Sequence, residues 1–128
     1  MTCFWDGILH HLTDNDFQRV LKTTKPNNKG FVKILKQNLR HTRSVKWNNT
    51  ILTNKQCDEN YEHVRDFNDE TIYGGYLCST CDPFLLLVCE LFNVDINHNF
   101  CGNIIRYRIN NPNKILNFRS DRGHFTHC

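Results

Sequence analysis

Asp82-Pro83-Phe84-Leu85-Leu86-Leu87-Val88-Cys89-Glu90-Leu91-Phe92 is apolar almost all round, with Glu90 the only charge past its first residue. A helix of that kind must be buried on most sides, so the rest of the chain has to be built around it. Past Asn93 the texture changes to short β-rich runs: Val94-Asp95-Ile96, Ile104-Ile105-Arg106-Tyr107-Arg108-Ile109 and Ile115-Leu116-Asn117-Phe118, with Asn-Pro and Asp-Arg-Gly turns between them. His124-Phe125-Thr126-His127 supplies a final strand. Upstream the period is helical. Phe4, Trp5, Ile8, Leu9 and Leu12 make one stripe. Asp14 reads as the N-cap of a second helix carrying Phe17, Val20 and Leu21. Residues 25–30, KPNNKG, are a breaker cluster before a third helix with Phe31, Ile34, Leu35 and Leu39. Residues 41–49 are polar and read as a loop, and Thr53-x-x-Gln56 has the form of a capping box opening a fourth helix through Tyr61 and Val64. Tyr73-Gly74-Gly75-Tyr76 reads as a sharp turn. Helices first and a small, mostly antiparallel sheet last predict an α+β fold in one domain, 1–128, with no repeat and no linker.

Length and composition agree. At 128 residues the chain can bury a real core without staples, and 39% hydrophobic with 12% aromatic residues suits a globular protein. The net charge of +3 is mild, and Lys33, Lys36, Arg40, Arg43 and Lys46 read as a solvated helix face. No dedicated nucleic-acid surface is expected. No run reaches the ~18 apolar residues of a membrane span, and no basic region followed by an apolar run marks a secretory signal. Seven cysteines, an odd number, then suggest a reducing compartment, mostly free thiols and a cytoplasmic location. Heavy use of Asn, Lys and Ile with no Ala is the bias of an AT-rich genome, viral or similar.

The chemistry-bearing residues lie at the two ends. Cys3 opens the first amphipathic helix, where the partial positive charge of the helix N-terminus favours thiolate over thiol. The thiolate is the attacking species in nucleophilic catalysis, and it needs a base from elsewhere in the fold. His124, on the last strand between Gly123 and Phe125, is the candidate.

Three motifs carry a family resemblance. Cys3-Phe4-Trp5 followed by Ile8-Leu9, then Tyr73-Gly74-Gly75 with a buried helix ending Leu91-Phe92-Asn93-Val94-Asp95-Ile96, then Gly123-His124-Phe125, occur in the order and spacing of the ovarian-tumour (OTU) cysteine peptidases. The chain resembles that family along nearly its whole length. The resemblance implies a papain-like domain that hydrolyses the isopeptide or peptide bond after the Gly-Gly tail of ubiquitin or a ubiquitin-like protein, with Cys3 as nucleophile, His124 as base and no cofactor. Two positions depart from the family pattern. Its Asp three residues before the nucleophile has no counterpart, because Met1 is two residues before Cys3. The oxyanion hole would then need the Cys3 amide and a donor elsewhere, or an upstream segment; losing one such donor typically costs about 10²–10³ in turnover. Thr126 stands where the family often has Asn or Asp, which implies a dyad or a weak triad.

Other constellations compete. Cys78-x-x-Cys81 and His98-x-x-Cys101 have the spacing of two zinc knuckles, which would make the chain a zinc-stabilised interaction domain. A further alternative is a non-catalytic ubiquitin-binding module of the same fold. His10-His11 reads as a partly exposed pair, Asp6 as a complement to the helix N-terminus, Trp5 as core, and His127-Cys128 as solvated.

Overall fold

An apolar stripe with a 3.6-residue period has to be covered. The computed structural model describes residues 3–68, 70, 82–121 and 124–127, with positions 3, 82, 121 and 124–127 placed by their backbone. In it the stripe forms helix α1 (Cys3–His11), with Phe4, Trp5, Ile8, Leu9 and Leu12 all buried. Helix α2 (Asp14–Leu21) follows directly. Its N-cap is Thr13, one residue before the expected Asp14. The Thr13 hydroxyl accepts from the Asp16 amide while the Asp16 carboxylate accepts from the Thr13 amide, a reciprocal box that fixes the start. Helix α3 (Asn28–Gln37) starts inside the expected breaker cluster, because Asn27 caps it by accepting from the Gly30 amide at 2.8 Å. A Cβ on Gly30 would stand 3.1 Å from that capping oxygen, so glycine serves the cap rather than breaking the helix. Helix α4 (Asn54–Asp66) opens on the expected Thr53/Gln56 box.

The 82–92 segment is helix α5 (Asp82–Phe92), buried from Phe84 to Cys89 and again at Leu91 and Phe92. Its half-exposed Glu90 accepts from the Ser44 amide at 3.1 Å. Asn93, at φ 57°, turns the chain out of the helix, a left-handed position that asparagine tolerates better than most residues. Phe84 meets Trp5 at 4.9 Å and Phe67 at 5.2 Å, both edge to face, while Phe92 meets Phe17 at 5.1 Å.

Residues 41–49 are not a plain loop. Lys46–Trp47 (β1) and Thr50–Ile51 (β2) pair as a hairpin across Asn48-Asn49, both at positive φ (49° and 64°), the geometry of the tight turns that strand twist favours. The basic series therefore divides: Lys33 and Lys36 are on α3, Arg40 and Arg43 are in the connection, and Lys46 is on β1. Strands β3 (Asp95–Phe100), β4 (Asn103–Arg108), β5 (Ile115–Asp121) and β6 (His124–His127) complete one sheet in the order β2-β1-β4-β3-β5-β6. All neighbours are antiparallel except β3 and β5. The fold is thus α+β, with helices mostly first and strands last. Helix α5 lies against β3 and β4, and α1 lies along β6. Alternation along the strands sends Ile96, His98, Ile105, Tyr107, Leu116, Phe118 and Ser120 to the buried side. One core joins these to the helices. Among the described residues no helix is long and apolar enough to cross a membrane.

Candidate active site

Cys3 is the first residue of α1 and His124 the first of β6, so their relation follows from how the helix lies on the strand. The far end of α1 is fixed. His11 Nε2 is 3.1 Å from the Asn117 carbonyl, and the His11 ring meets Phe118 edge to face at 5.2 Å. Lys114 Nζ donates to the His11 carbonyl at 2.7 Å. In the antiparallel ladder Phe118 pairs with His127 and Asp121 with His124, so the His11 end of α1 belongs to the His127 end of β6. From Cys3 to His11 the helix rises about 12 Å at ~1.5 Å per residue. From His127 back to His124 the strand covers about 10 Å at ~3.3 Å per residue. Because α1 packs along β6, its N-terminus lies toward the His124 end. Backbone geometry thus brings the two elements together in parallel.

Thr126 pairs with Arg119, and Asp121 pairs with His124. Along β5 the residues 116, 118 and 120 are buried and Arg119 is exposed. The side chains of Cys3, His124 and Thr126 lie outside the described residues, as do Tyr73, Gly74, Gly75, Cys78, Cys81, Gly123 and Cys128.

What holds α1 in place is a charged cluster that no short spacing reveals. Asp16 accepts from Lys114 Nζ at 2.6 Å and from Arg19 at 3.3 Å, in addition to the Thr13 amide. Arg19 also donates to the Phe92 carbonyl at the end of α5. Burial alone would raise the Asp16 carboxyl, but the Lys114 ammonium and the Thr13 amide outweigh it and hold the group below its ordinary 3.8. A depressed carboxylate adds stability above its unfolded pKa and loses it as pH falls through the folded one. Asp16→Asn is therefore expected to melt below wild type near neutral pH, with the gap closing as pH drops below about 3.8; thermal melts across pH read this directly.

Of the zinc constellation, the two described members differ in exposure. His98 is fully buried on β3, with Nε2 2.7 Å from Ser120 Oγ on β5, whereas Cys101 is exposed in the β3–β4 turn at φ 51°. His98 and Ser120 form a polar stitch inside the core, 22 residues apart and unmarked by any motif. Among the described residues no three His, Cys, Asp or Glu side chains converge as a metal site. Trp5 is core at 0% exposure, Asp6 accepts from Asn28 at 2.8 Å, and His10 is exposed beside half-buried His11.

The other thiols set the background for reactivity. Burial pushes the Cys57 thiol up and Cys89 well above its ordinary range. In native protein, iodoacetamide is expected to modify Cys101 and to spare Cys57 and Cys89 until denaturant is added, as peptide mass mapping would show. No protein-family model, curated protein or solved structure matches the chain.

Proposed function

We propose that the chain is a thiol peptidase that cuts the bond after the Gly-Gly tail of ubiquitin or a ubiquitin-like protein, with Cys3 as nucleophile and His124 as base and then acid. One observation carries the reading: the helix opening with Cys3 packs against the strand opening with His124. The sequence resemblance to OTU peptidases supplies the substrate class.

In this mechanism the helix N-terminus favours the Cys3 thiolate. The sulfur attacks the carbonyl carbon of the modifier's last glycine, and the C–N bond to the lysine breaks as His124 hands its proton to the leaving amine. Water, deprotonated by His124, then hydrolyses the thioester and restores the thiol. Backbone N–H groups of the first helical turn have no partner within the helix, so they are natural donors to the developing oxyanion. Thr126 would accept from the imidazole and hold its tautomer without stabilising imidazolium as a carboxylate does.

Ubiquitin carrying a C-terminal electrophile tests the proposal. Wild type should form a covalent adduct at Cys3, and Cys3→Ser should form none. Wild type that binds ubiquitin but stays unlabelled would leave a binding module and end the enzyme reading. Labelling that persists in Cys3→Ser and disappears in Cys101→Ser would trace it to the exposed thiol and end the reading equally.

A further inference from the structure

The sheet has one side under helices and one side that no described helix covers. Its rows follow from the register. Ile51, Lys46 and Arg108 are neighbours across β2, β1 and β4; Arg106, Asn97 and Asn117 across β4, β3 and β5; Ile104, Asn99 and Arg119 across the same three strands. Asp95 and Ile115 are paired at the end of the face that holds Arg108.

Three properties of this face stand together. First, the large hydrophobic side chains left exposed among the described residues, Ile51 at 70%, Ile104 at 48% and Ile115 at 52%, all belong to it. Scattered single exposures need no explanation, but their confinement to one face of one sheet does. Second, the face is cationic. Lys46, Arg106 and Arg119 are exposed, and Arg108 is half-buried. The carboxylate among the described side chains of these rows is Asp95, which is 7% exposed, accepts from the Ile109 amide at 2.8 Å and lies 3.8 Å from Arg108. Third, the face is preorganised. Arg108 donates to Asn97 at 2.6 Å and Asn97 to Asn117 at 3.1 Å, a bonded chain across three strands at the floor of a depression of about 300 Å³. Such a floor needs little ordering when something lands on it.

We infer that this face is an interaction surface for a protein partner that presents aliphatic side chains among carboxylates. The isoleucines take the aliphatic groups and the arginines meet the acids. A second copy of the chain does not fit, because it would set this cationic face against itself. A single-stranded nucleic acid is the poorer match, since among the described residues no aromatic side chain belongs to these rows to stack on a base. At ~4.8 Å between strands, Ile51 and Ile115 stand about 19 Å apart, the scale of a small, transient contact rather than a permanent one. The inference does not rest on the chemistry of Cys3.

The test uses the full chain and three fluorescent probes: an amphipathic helical peptide with a leucine stripe flanked by glutamates, the same peptide with lysines in their place, and oligothymidylate. Anisotropy should show the glutamate peptide binding at least about tenfold more tightly than the lysine peptide, with affinity falling as salt rises. Ile104→Glu combined with Ile115→Glu should weaken it about tenfold or more, Arg106→Glu likewise, and Cys3→Ser should leave it unchanged. Arg106→Glu alters an exposed side chain alone, so it carries the test should the double variant lose its circular-dichroism signature. Failure of the glutamate peptide to bind, equal binding of the lysine peptide, stronger binding of the oligonucleotide, or indifference to Arg106→Glu would each overturn the inference.

Discussion

Under the proposed mechanism, Cys3→Ser is expected to lower kcat/KM on a ubiquitin C-terminal amide substrate by about 10⁴-fold or more, and His124→Ala by a comparable factor, because a nucleophile and its base act as a unit. The double variant should therefore be scarcely worse than either single one. The decisive comparison is with His127→Ala. His127 shares the ladder row of Phe118, which the His11 ring of α1 abuts, yet it stands at the opposite end of the strand from the helix N-terminus. If His124 is the base, His127→Ala keeps its activity to within about tenfold. If activity goes with His127 instead, the base has been assigned to the wrong end of β6. Stability of each variant, read by thermal melting, separates lost chemistry from lost fold.

Trp5→Ala is expected to be the most destabilising single change, at about 3–5 kcal/mol. Trp5 is fully buried and touches Phe4 at 4.7 Å, Phe84 at 4.9 Å, Phe67 at 5.8 Å and Phe31 at 6.4 Å, so it joins α1 to α3, α5 and the end of α4. Rings on four sides that already pack among themselves cannot all move inward to fill the space. For a chain of this size the melting temperature should fall by more than about 10 °C. Trp5→Phe keeps most of the volume and should recover more than half of the loss. Residual activity in Trp5→Ala, measured where the variant is still folded, should fall as well, since Trp5 fixes the turn of helix that carries Cys3.

The legible parts of the fold were those written in short spacings. The stripe of α1, the Thr53/Gln56 box and the all-apolar run of α5 each declare themselves within a few residues, because periodicity and capping are local. The β1–β2 hairpin was missed because two-residue strands have no alternation to read; the signal was Asn48-Asn49, a pair able to adopt positive φ between Trp47 and Thr50. Asp14 is a good cap by type, but Thr13 one residue earlier does the same work and Asp16 completes the box. Of the candidate site, the sequence offered Cys3 and His124 but not what aligns their elements. Lys114 reaches His11 across 103 residues and Asp16 across 98, and no spacing rule spans such distances. The Ser120 partner of His98 was hidden for the same reason.

That long-range anchoring has a consequence for how the protein comes into being. Within this fold the helix carrying Cys3 is made first and is among the last that can settle, because the lysine that holds its far end and the strand it lies along follow helices α1 to α5. Contacts between such distant parts of a chain must await closure of a very large loop, so they form late and slowly. On the ribosome, a chain that has not yet reached Lys114 has its thiol but nothing to aim it. Whatever reactivity Cys3 has is thereby withheld until the strands of the sheet have been made.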